Sequence, residues 1–390
     1  MRRLLIILAI IILLPNLSCD KKSPTAPKER EGSPKFQELP DEWKAAMRTI
    51  NEPLTKYQDI GYADVSNLNL LNDYETLKTV HFSSFTKWPP YAKLPNQFDP
   101  KDALNWGKIP GLNVQSLHDQ GYDGSDINIA IIDHKLLLDH TEYKNQIVGY
   151  KEFPTMYGYP EMHASAVASL LVGKECGVLP KANLYYYGVE VIDINMDKYN
   201  YKYFSQALED IIQLNSTTLA DNPIRVVSVS FGLDESGLNL DMWKASLTNA
   251  EETGILVFHC SFEWLKDRYA IAGAGCKPYE DVNEINNYGT FYADYVGYQY
   301  SSSEKFLFVP GDNRTTANFI LDGCYTFNSW GGGSWPIPFV SGVVALGRQI
   351  NPNLSNDEIV KLLYENGTDF KVGKLINPEA FINKIKNNSL

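Results

Sequence analysis

From about Pro110 onward, short runs of β-branched and aromatic residues alternate with amphipathic stretches of helical spacing, and nothing else in the chain constrains its fold as strongly. Strands that read as continuous apolar runs have to be buried on both faces, and the helices between them supply the cover. The expected strands are Ile127 to Ile132, Asn183 to Val189, Arg225 to Phe231, Ile255 to Cys260 and Phe306 to Val309. Helices are expected at His163 to Val172, Tyr203 to Leu214, Leu240 to Thr253, Ser334 to Gln349, Ser355 to Asn366 and Pro378 to Ile385. The reading is an α/β domain over residues 110–390, a three-layer sandwich with a mostly parallel sheet and helices on both faces. In such sheets chemistry gathers at the carboxyl ends of the strands, so polar residues there are the candidates.

Composition narrows the function. The chain has 390 residues, 44% of them hydrophobic, which is ample for a large core. Its 47 acidic and 35 basic side chains give a formal charge of -12, which disfavours a general grip on a phosphate backbone; nucleic acid is not an expected partner.

The apolar stretch Leu4 to Leu14 follows Arg2 and Arg3 and stops at Pro15, short of the roughly 20 residues a spanning helix needs. It reads as a signal peptide over residues 1–18. Leu17, Ser18 and Cys19 then resemble the bacterial lipobox, with Asn16 where a branched aliphatic is usual. The expectation is a chain in the bacterial cell envelope, outside the cytoplasm and anchored to the membrane by lipid on Cys19, with secretion as second choice. Residues 19–38 have the composition of a solvated tether. Residues 39–109 form an amino-terminal extension: a helix is expected at Asp41 to Ile50, followed by DVSNLNLLNDYETLKTVHF, whose leucine spacing suggests one leucine-rich-type turn. A lone unit of that kind cannot bury its own face, so the extension packs on the α/β domain after it, as a structural flank or an inhibitory propeptide. Apart from Cys19, the cysteines are Cys176, Cys260, Cys276 and Cys324, which outside the cytoplasm could pair in three ways. Without CxxC or HExxH, a zinc site is not expected.

Three residues carry the chemistry. INIAIID ends at Asp133, an acid at the end of an apolar strand; alone, such an aspartate usually caps a turn. His163 opens HASAVASLLVG, a run of small residues that lets a helix approach its neighbours closely. In GGGSWPIPFVSGVVAL, three glycines precede Ser334 and an apolar helix follows it. Glycines allow a tight turn that exposes the hydroxyl, and the helix amino terminus offers partial positive charge to a developing oxyanion.

The order Asp, His, Ser and the residues around each resemble the subtilisin-like serine peptidases. GYDGSDINIAIIDHKLLLDH is similar to that family's aspartate motif, MHASAVASLLVGKECGVLPKANLYYYGV to its histidine motif, and GGSWPIPFVSGVVAL to its nucleophile motif. VVSVSFG resembles the strand with which the family binds substrate backbone, and FVPGDNRTT the turn ahead of the serine. The resemblance spans roughly residues 110–390, and several ordered motifs are more specific than any one. It implies Ser334 as nucleophile, His163 as general base and acid, Asp133 as the group that orients the imidazole, and Ser230, Phe231 and Gly232 as substrate-binding residues. The Ser334 backbone N–H would serve the oxyanion. No cofactor is implied; family members often hold calcium, but no loop here has convincing ligand spacing. The expected partner is a peptide or protein substrate, bound by a monomer.

The departures are specific. GILVFHCSFEW places Ser261 at the family's glycine and Phe262 where an asparagine would donate to the oxyanion; phenylalanine cannot donate. Asn328 is a possible substitute. His134 and Lys135 follow the aspartate where Thr/Ser-Gly is usual, Ala164 replaces a glycine, and Ala166 replaces a second histidine. The other histidines, His81, His118, His134, His140 and His259, are expected in core or surface roles. Two functions fit: a serine endopeptidase acting through an acyl-enzyme, or a pseudoenzyme whose cleft binds peptide or a protein partner. An α/β-hydrolase esterase would need the acid between serine and histidine and a G-x-S-x-G elbow, and has neither.

Overall fold

Residues 128 to 133 form a strand buried along its whole length, as an apolar run with strands on both edges and helices on both faces must be. The computed structural model describes residues 30–154, 158–190, 192–193, 196–260, 269–290 and 305–388. The signal peptide, Cys19, most of the tether, and Ser261 with Phe262 lie outside the described residues.

The extension opens with a 3-10 turn, Asp41–Ala46, in place of the helix expected to Ile50. None of its residues is buried, and a short helix without a packed face is marginal in water. The strands β1 (Arg48–Thr49) and β2 (Ala63–Asp64) pair in parallel, and parallel bridges join Asp59 to His81 and Asp64 to Lys87. Successive coils therefore stack side by side. After a helical turn, α1 (Tyr74–Leu77), come β3 (Phe82–Ser83) and α2 (Pro100–Lys108). Ile60, Val65, Leu70, Leu77 and Val80 are buried in a small core closed by Ala103, Leu104 and Phe327. The single leucine-rich-type unit thus does not cover its own face; it borrows an aromatic residue from the body.

The body continues with α3 (Val114–Asp119), β4 (Asn128–Asp133), β5 (Ile147–Glu152), α4 (Met162–Val172) and β6 (Asn183–Gly188). A hairpin of β7 (Ile192–Asp193) and β8 (Lys198–Tyr199) leads to α5 (Lys202–Thr217), β9 (Val226–Val229), α6 (Leu240–Glu252) and β10 (Leu256–His259). The sheet order is β10-β9-β4-β6-β5, and every pair in it is parallel. Side chains alternate across a strand, and β4 feeds two cores accordingly. Ile129 and Ile131 point into the core with α4; Ala130 and Ile132 join Phe204, Leu208 and Trp243 of α5 and α6.

A second sheet contains β11 (Ala270–Cys276), β12 (Tyr288–Thr290) and β13 (Phe306–Asp312). The chain then forms β14 (Arg314–Ala317), β15 (Tyr325–Asn328), α7 (Pro336–Ile350), α8 (Asn356–Glu365), β16 (Thr368–Phe370), β17 (Gly373–Leu375) and α9 (Pro378–Asn388). The second sheet has the order β12-β11-β13-β17-β16, parallel at its centre and antiparallel at both edges. Val340 and Val344 of α7 join Ala166 and Leu170 of α4 and Phe308 of β13 in the larger core. The third sheet, β14-β15-β3, is antiparallel and unites body and extension. The α/β architecture, with its mostly parallel sheets covered by helices, is thus as the alternation predicts. The strand AIAGAGC at β11, with one β-branched residue, lacks the composition that marks a strand.

No helix among the described residues is long and apolar enough to cross a membrane. All four described cysteines are free, so none of the three possible pairings forms.

Candidate active site

Asp133 ends β4 with its side chain fully buried. Its Oδ1 accepts from the backbone N–H of His134 at 2.8 Å and from His163 Nδ1 at 2.8 Å. Its Oδ2 is buried with no hydrogen-bond partner. The acid therefore fixes the imidazole through one oxygen, and an accepting carboxylate on Nδ1 leaves Nε2 as the basic nitrogen. His163 is the second residue of α4, whose small side chains are buried from Ala164 to Val172. That tight packing aims the imidazole past the end of the sheet. Around it stand Phe231, with ring centroids 5.0 Å apart, Trp335 at 5.6 Å and His134 at 5.9 Å.

Ser334 lies in the turn ahead of α7, half-buried, next to the Trp335 that packs on the imidazole. Its hydroxyl donates to the Ser230 carbonyl at 3.1 Å, and the Ser230 hydroxyl donates back to the Ser334 carbonyl at 3.0 Å. The structure thus brings Asp133 and His163 into direct contact and sets Ser334 next to Trp335, which packs on that imidazole, with the Ser334 hydroxyl turned toward the end of β9. The approach needs glycine: a Cβ at Gly331 would lie 2.2 Å from Trp335 Cδ1 and 2.4 Å from the Gly311 carbonyl, and Gly332 has φ +64. Asp312 Oδ1 accepts from the Gly331 N–H at 2.9 Å and holds the turn.

Ser230, Phe231 and Gly232 follow the carboxyl end of β9, and the first two touch Ser334 and His163 respectively. An extended peptide added as a strand beside Arg225 to Gly232, the expectation for VVSVSFG, fails along β9 itself, which is interior between β10 and β4. Ring contacts put Phe231 against both His163 and His134. The Phe231 carbonyl is taken by Cys260 N–H at 2.9 Å, and that of Gly232 by the Tyr201 hydroxyl at 3.0 Å.

Cys260 stands just past the end of β10. Its thiol donates to the Gly333 carbonyl at 3.3 Å and lies against the Ser334 side chain. Burial pushes it up to about 12, so it stays a neutral thiol and is no rival nucleophile. The suggested oxyanion donor Asn328 is not available either. Its amide Nδ2 donates to Thr316 Oγ1 at 2.9 Å and to the Thr326 and Arg314 carbonyls, and its Oδ1 is held by His81.

Two groups beside the site are not evident from sequence. His134, expected in a core or surface role, packs against both His163 and Phe231 with Nδ1 3.6 Å from Glu161 Oε2; burial pushes it below the usual imidazole range. Its place directly after Asp133 was the available signal. Glu161, two residues before His163, is raised to about 7 by burial and then by the negative charges of Glu190 and Asp133. The remaining histidines have the structural roles expected of them: His118 meets the Val178 carbonyl, His140 the Cys324 carbonyl, and His259 is buried in β10. Among the described residues no group of three or more His, Cys, Asp or Glu is placed to hold a metal ion.

An all-parallel five-stranded sheet, an aspartate closing its central strand and a histidine on the following helix define a divergent subtilisin-like fold. Among solved structures, the chain is similar to that described as the structural basis of subtilase cytotoxin SubAB assembly, at 15% identity and TM-score 0.53, covering 73% of this chain and 97% of that one. It is also similar to the prenylagaramide maturation protease PagA, at 17% identity and TM-score 0.49, covering 72% of this chain and 99% of that one. A third, the protease domain of PatA, stands at 14% identity and TM-score 0.48, covering 68% and 97%. No family model matches the sequence.

Proposed function

We propose that the protein is a serine endopeptidase working outside the cytoplasm, tethered by lipid at Cys19, with Asp133, His163 and Ser334 as its triad. The observation that carries this reading is the 2.8 Å bond from His163 Nδ1 to Asp133 Oδ1, made by residues thirty apart in sequence, and the ring of Trp335, next to Ser334, packs on that imidazole. Rotation of the Ser334 side chain away from the Ser230 carbonyl directs Oγ to the imidazole. His163 Nε2 then takes the hydroxyl proton as Oγ bonds to the carbonyl carbon of the peptide. The tetrahedral adduct collapses, the C–N bond breaks, and the proton on Nε2 leaves with the amine. Water, deprotonated by the same nitrogen, releases the acyl group and restores Ser334. Asp133 stabilises the transient imidazolium. No cofactor enters any of these steps.

The Ser334 hydroxyl bonded to the Ser230 carbonyl favours a second reading, in which the cleft binds peptide or a partner without cleaving it. A fluorophosphonate probe separates the two. Labelling that is lost in Ser334→Ala supports the peptidase; a wild-type chain that never labels leaves only the binding role.

A further inference from the structure

We infer that residues 39–109 remain part of the working protein and that His81 within them is a positioning residue for the loop that delivers Ser334. The second half of this inference rests on the peptidase reading; the first does not.

The extension is built into the body at the base of that loop. Strand β3 pairs with β15 through Ser83 and Thr326 and through Phe82 and Phe327, and the rings of Phe82 and Phe327 stack at 5.3 Å. Ser84 donates its N–H to the Tyr325 carbonyl, and its hydroxyl accepts from the Tyr325 N–H. Phe327 belongs to the core of the extension, so removing residues 39–109 would bare it together with the sheet edge of β15.

At the far end, the buried guanidinium of Arg314 bonds the carbonyls of Gly107, Pro110 and Cys176. Loss of the extension would take away the Gly107 acceptor from a charge already out of water, which is strongly unfavourable. Trp43 packs edge-on against Tyr159 and Phe319, at 5.9 and 5.4 Å. The extension thus touches both arms of the site, the segment before His163 and the segment before Ser334. A detachable inhibitor would leave an intact body behind; this one would not.

His81 contacts the segment that leads to the nucleophile. Its Nε2 meets Asn328 Oδ1 at 2.8 Å, its Nδ1 meets Ser329 Oγ at 3.4 Å, and its ring packs on Trp330 at 5.5 Å. Burial pushes the imidazole below its usual range, so the ring is neutral, with one donor and one acceptor nitrogen. The amide of Asn328 faces three other acceptors; its Oδ1 therefore takes the Nε2–H, and Nδ1 accepts from the Ser329 hydroxyl. Beyond Trp330 come Gly331, Gly332 and Gly333, which impose little conformational preference of their own. His81 thus grips the three residues that lead into these glycines, and Asp312 and Cys260 then hold Gly331 and Gly333.

The experiment uses the full chain. Intact-mass and amino-terminal analysis of the mature protein should show residues 39–109 still attached; a folded mature chain beginning near residue 110 overturns the first half. For the second half, His81→Ala and His81→Gln are compared by hydrogen exchange over residues 329–333, by labelling rate, and by kcat against KM on a peptide. His81→Ala should speed exchange in the loop and lower both labelling and kcat about tenfold, as a small displacement of a reacting group does, with KM little changed. Gln, which can present an N–H to Asn328, should restore most of the loss. Wild-type exchange in the loop of His81→Ala overturns the role of His81, as does failure of Gln to differ from Ala. If His81→Ala does not fold, His81→Phe, which fills the same space without the hydrogen bonds, takes its place: faster loop exchange supports the role and wild-type exchange overturns it. A wild-type protein that does not label at all refutes the peptidase reading, and loop exchange then still decides whether His81 holds the segment.

Discussion

Replacing Gly342 by alanine tests whether α7 sits as close to the body as the site geometry requires. A Cβ there would lie 2.6 Å from Val178 Cβ and 2.8 Å from Val178 Cγ1, about 1 Å inside ordinary carbon contact. Val178 is fully buried, and its β-branched side chain has little freedom to rotate away. The clash is therefore relieved mainly by moving α7. Overpacking of this kind costs about 2–3 kcal/mol, and the better helix propensity of alanine offsets about 1 kcal/mol of it, leaving a loss of about 1–2 kcal/mol. Gly347 in the same helix is the control. A Cβ there would meet Phe381 Cζ at 2.7 Å and Ile385 Cδ1 at 2.9 Å, the far ends of side chains on α9 that can yield. Both variants gain the same propensity, so their difference compares the clash with the Cβ and Cγ1 of Val178 against that with the side-chain ends of Phe381 and Ile385. Thermal unfolding should place Gly342→Ala below Gly347→Ala by about 2–4 °C for each kcal/mol. Because α7 begins two residues after Ser334, a shift near 1 Å should also slow fluorophosphonate labelling up to about 10²-fold. Equal melting temperatures, with labelling at the wild-type rate in both, would refute the reasoning.

Asp133→Asn keeps an oxygen for the His134 N–H and for His163 but removes the charge that supports the imidazolium. Turnover on a peptide substrate should fall about 10³–10⁴-fold with KM nearly unchanged, and a variant that turns over normally would remove Asp133 from the mechanism. Glu161→Gln tests the raised carboxyl. Its folded pKa of about 7 lies above the ordinary 4.5, so the folded chain holds a proton that the unfolded chain releases between those values. The stabilisation is full below about 4.5 and is lost as pH rises through about 7. The melting temperature of Glu161→Gln relative to wild type should therefore climb across that window, and a flat difference would show that the Glu161 environment is misread.

Much of the scaffold was legible because it is written in local periodicity. The run NIAIID specifies a strand buried on both faces, and the small residues after His163 and the apolar residues after Ser334 specify the two helices that meet in the larger core. The Asp, His, Ser order gave the candidate residues, since each motif carries its chemistry within a few positions. The stacked coils of the extension were only faintly marked, because their parallel bridges join residues 22 or 23 apart in segments of two or three residues, too short for any period to register.

Which distant groups share an environment was decided by tertiary structure alone. Asn328 is a plausible donor in the sequence, yet a histidine 247 positions away takes its carbonyl oxygen. His134 and Glu161 look unremarkable until folding sets them beside His163, where burial pushes the imidazole down and burial with neighbouring negative charge pushes the carboxyl up. The Ser334 hydroxyl rests on the Ser230 carbonyl because strand β9 ends beside the start of α7. Sequence determines periodicity and residue chemistry, which act over a few positions; burial and hydrogen-bond partnership depend on what the rest of the chain brings alongside.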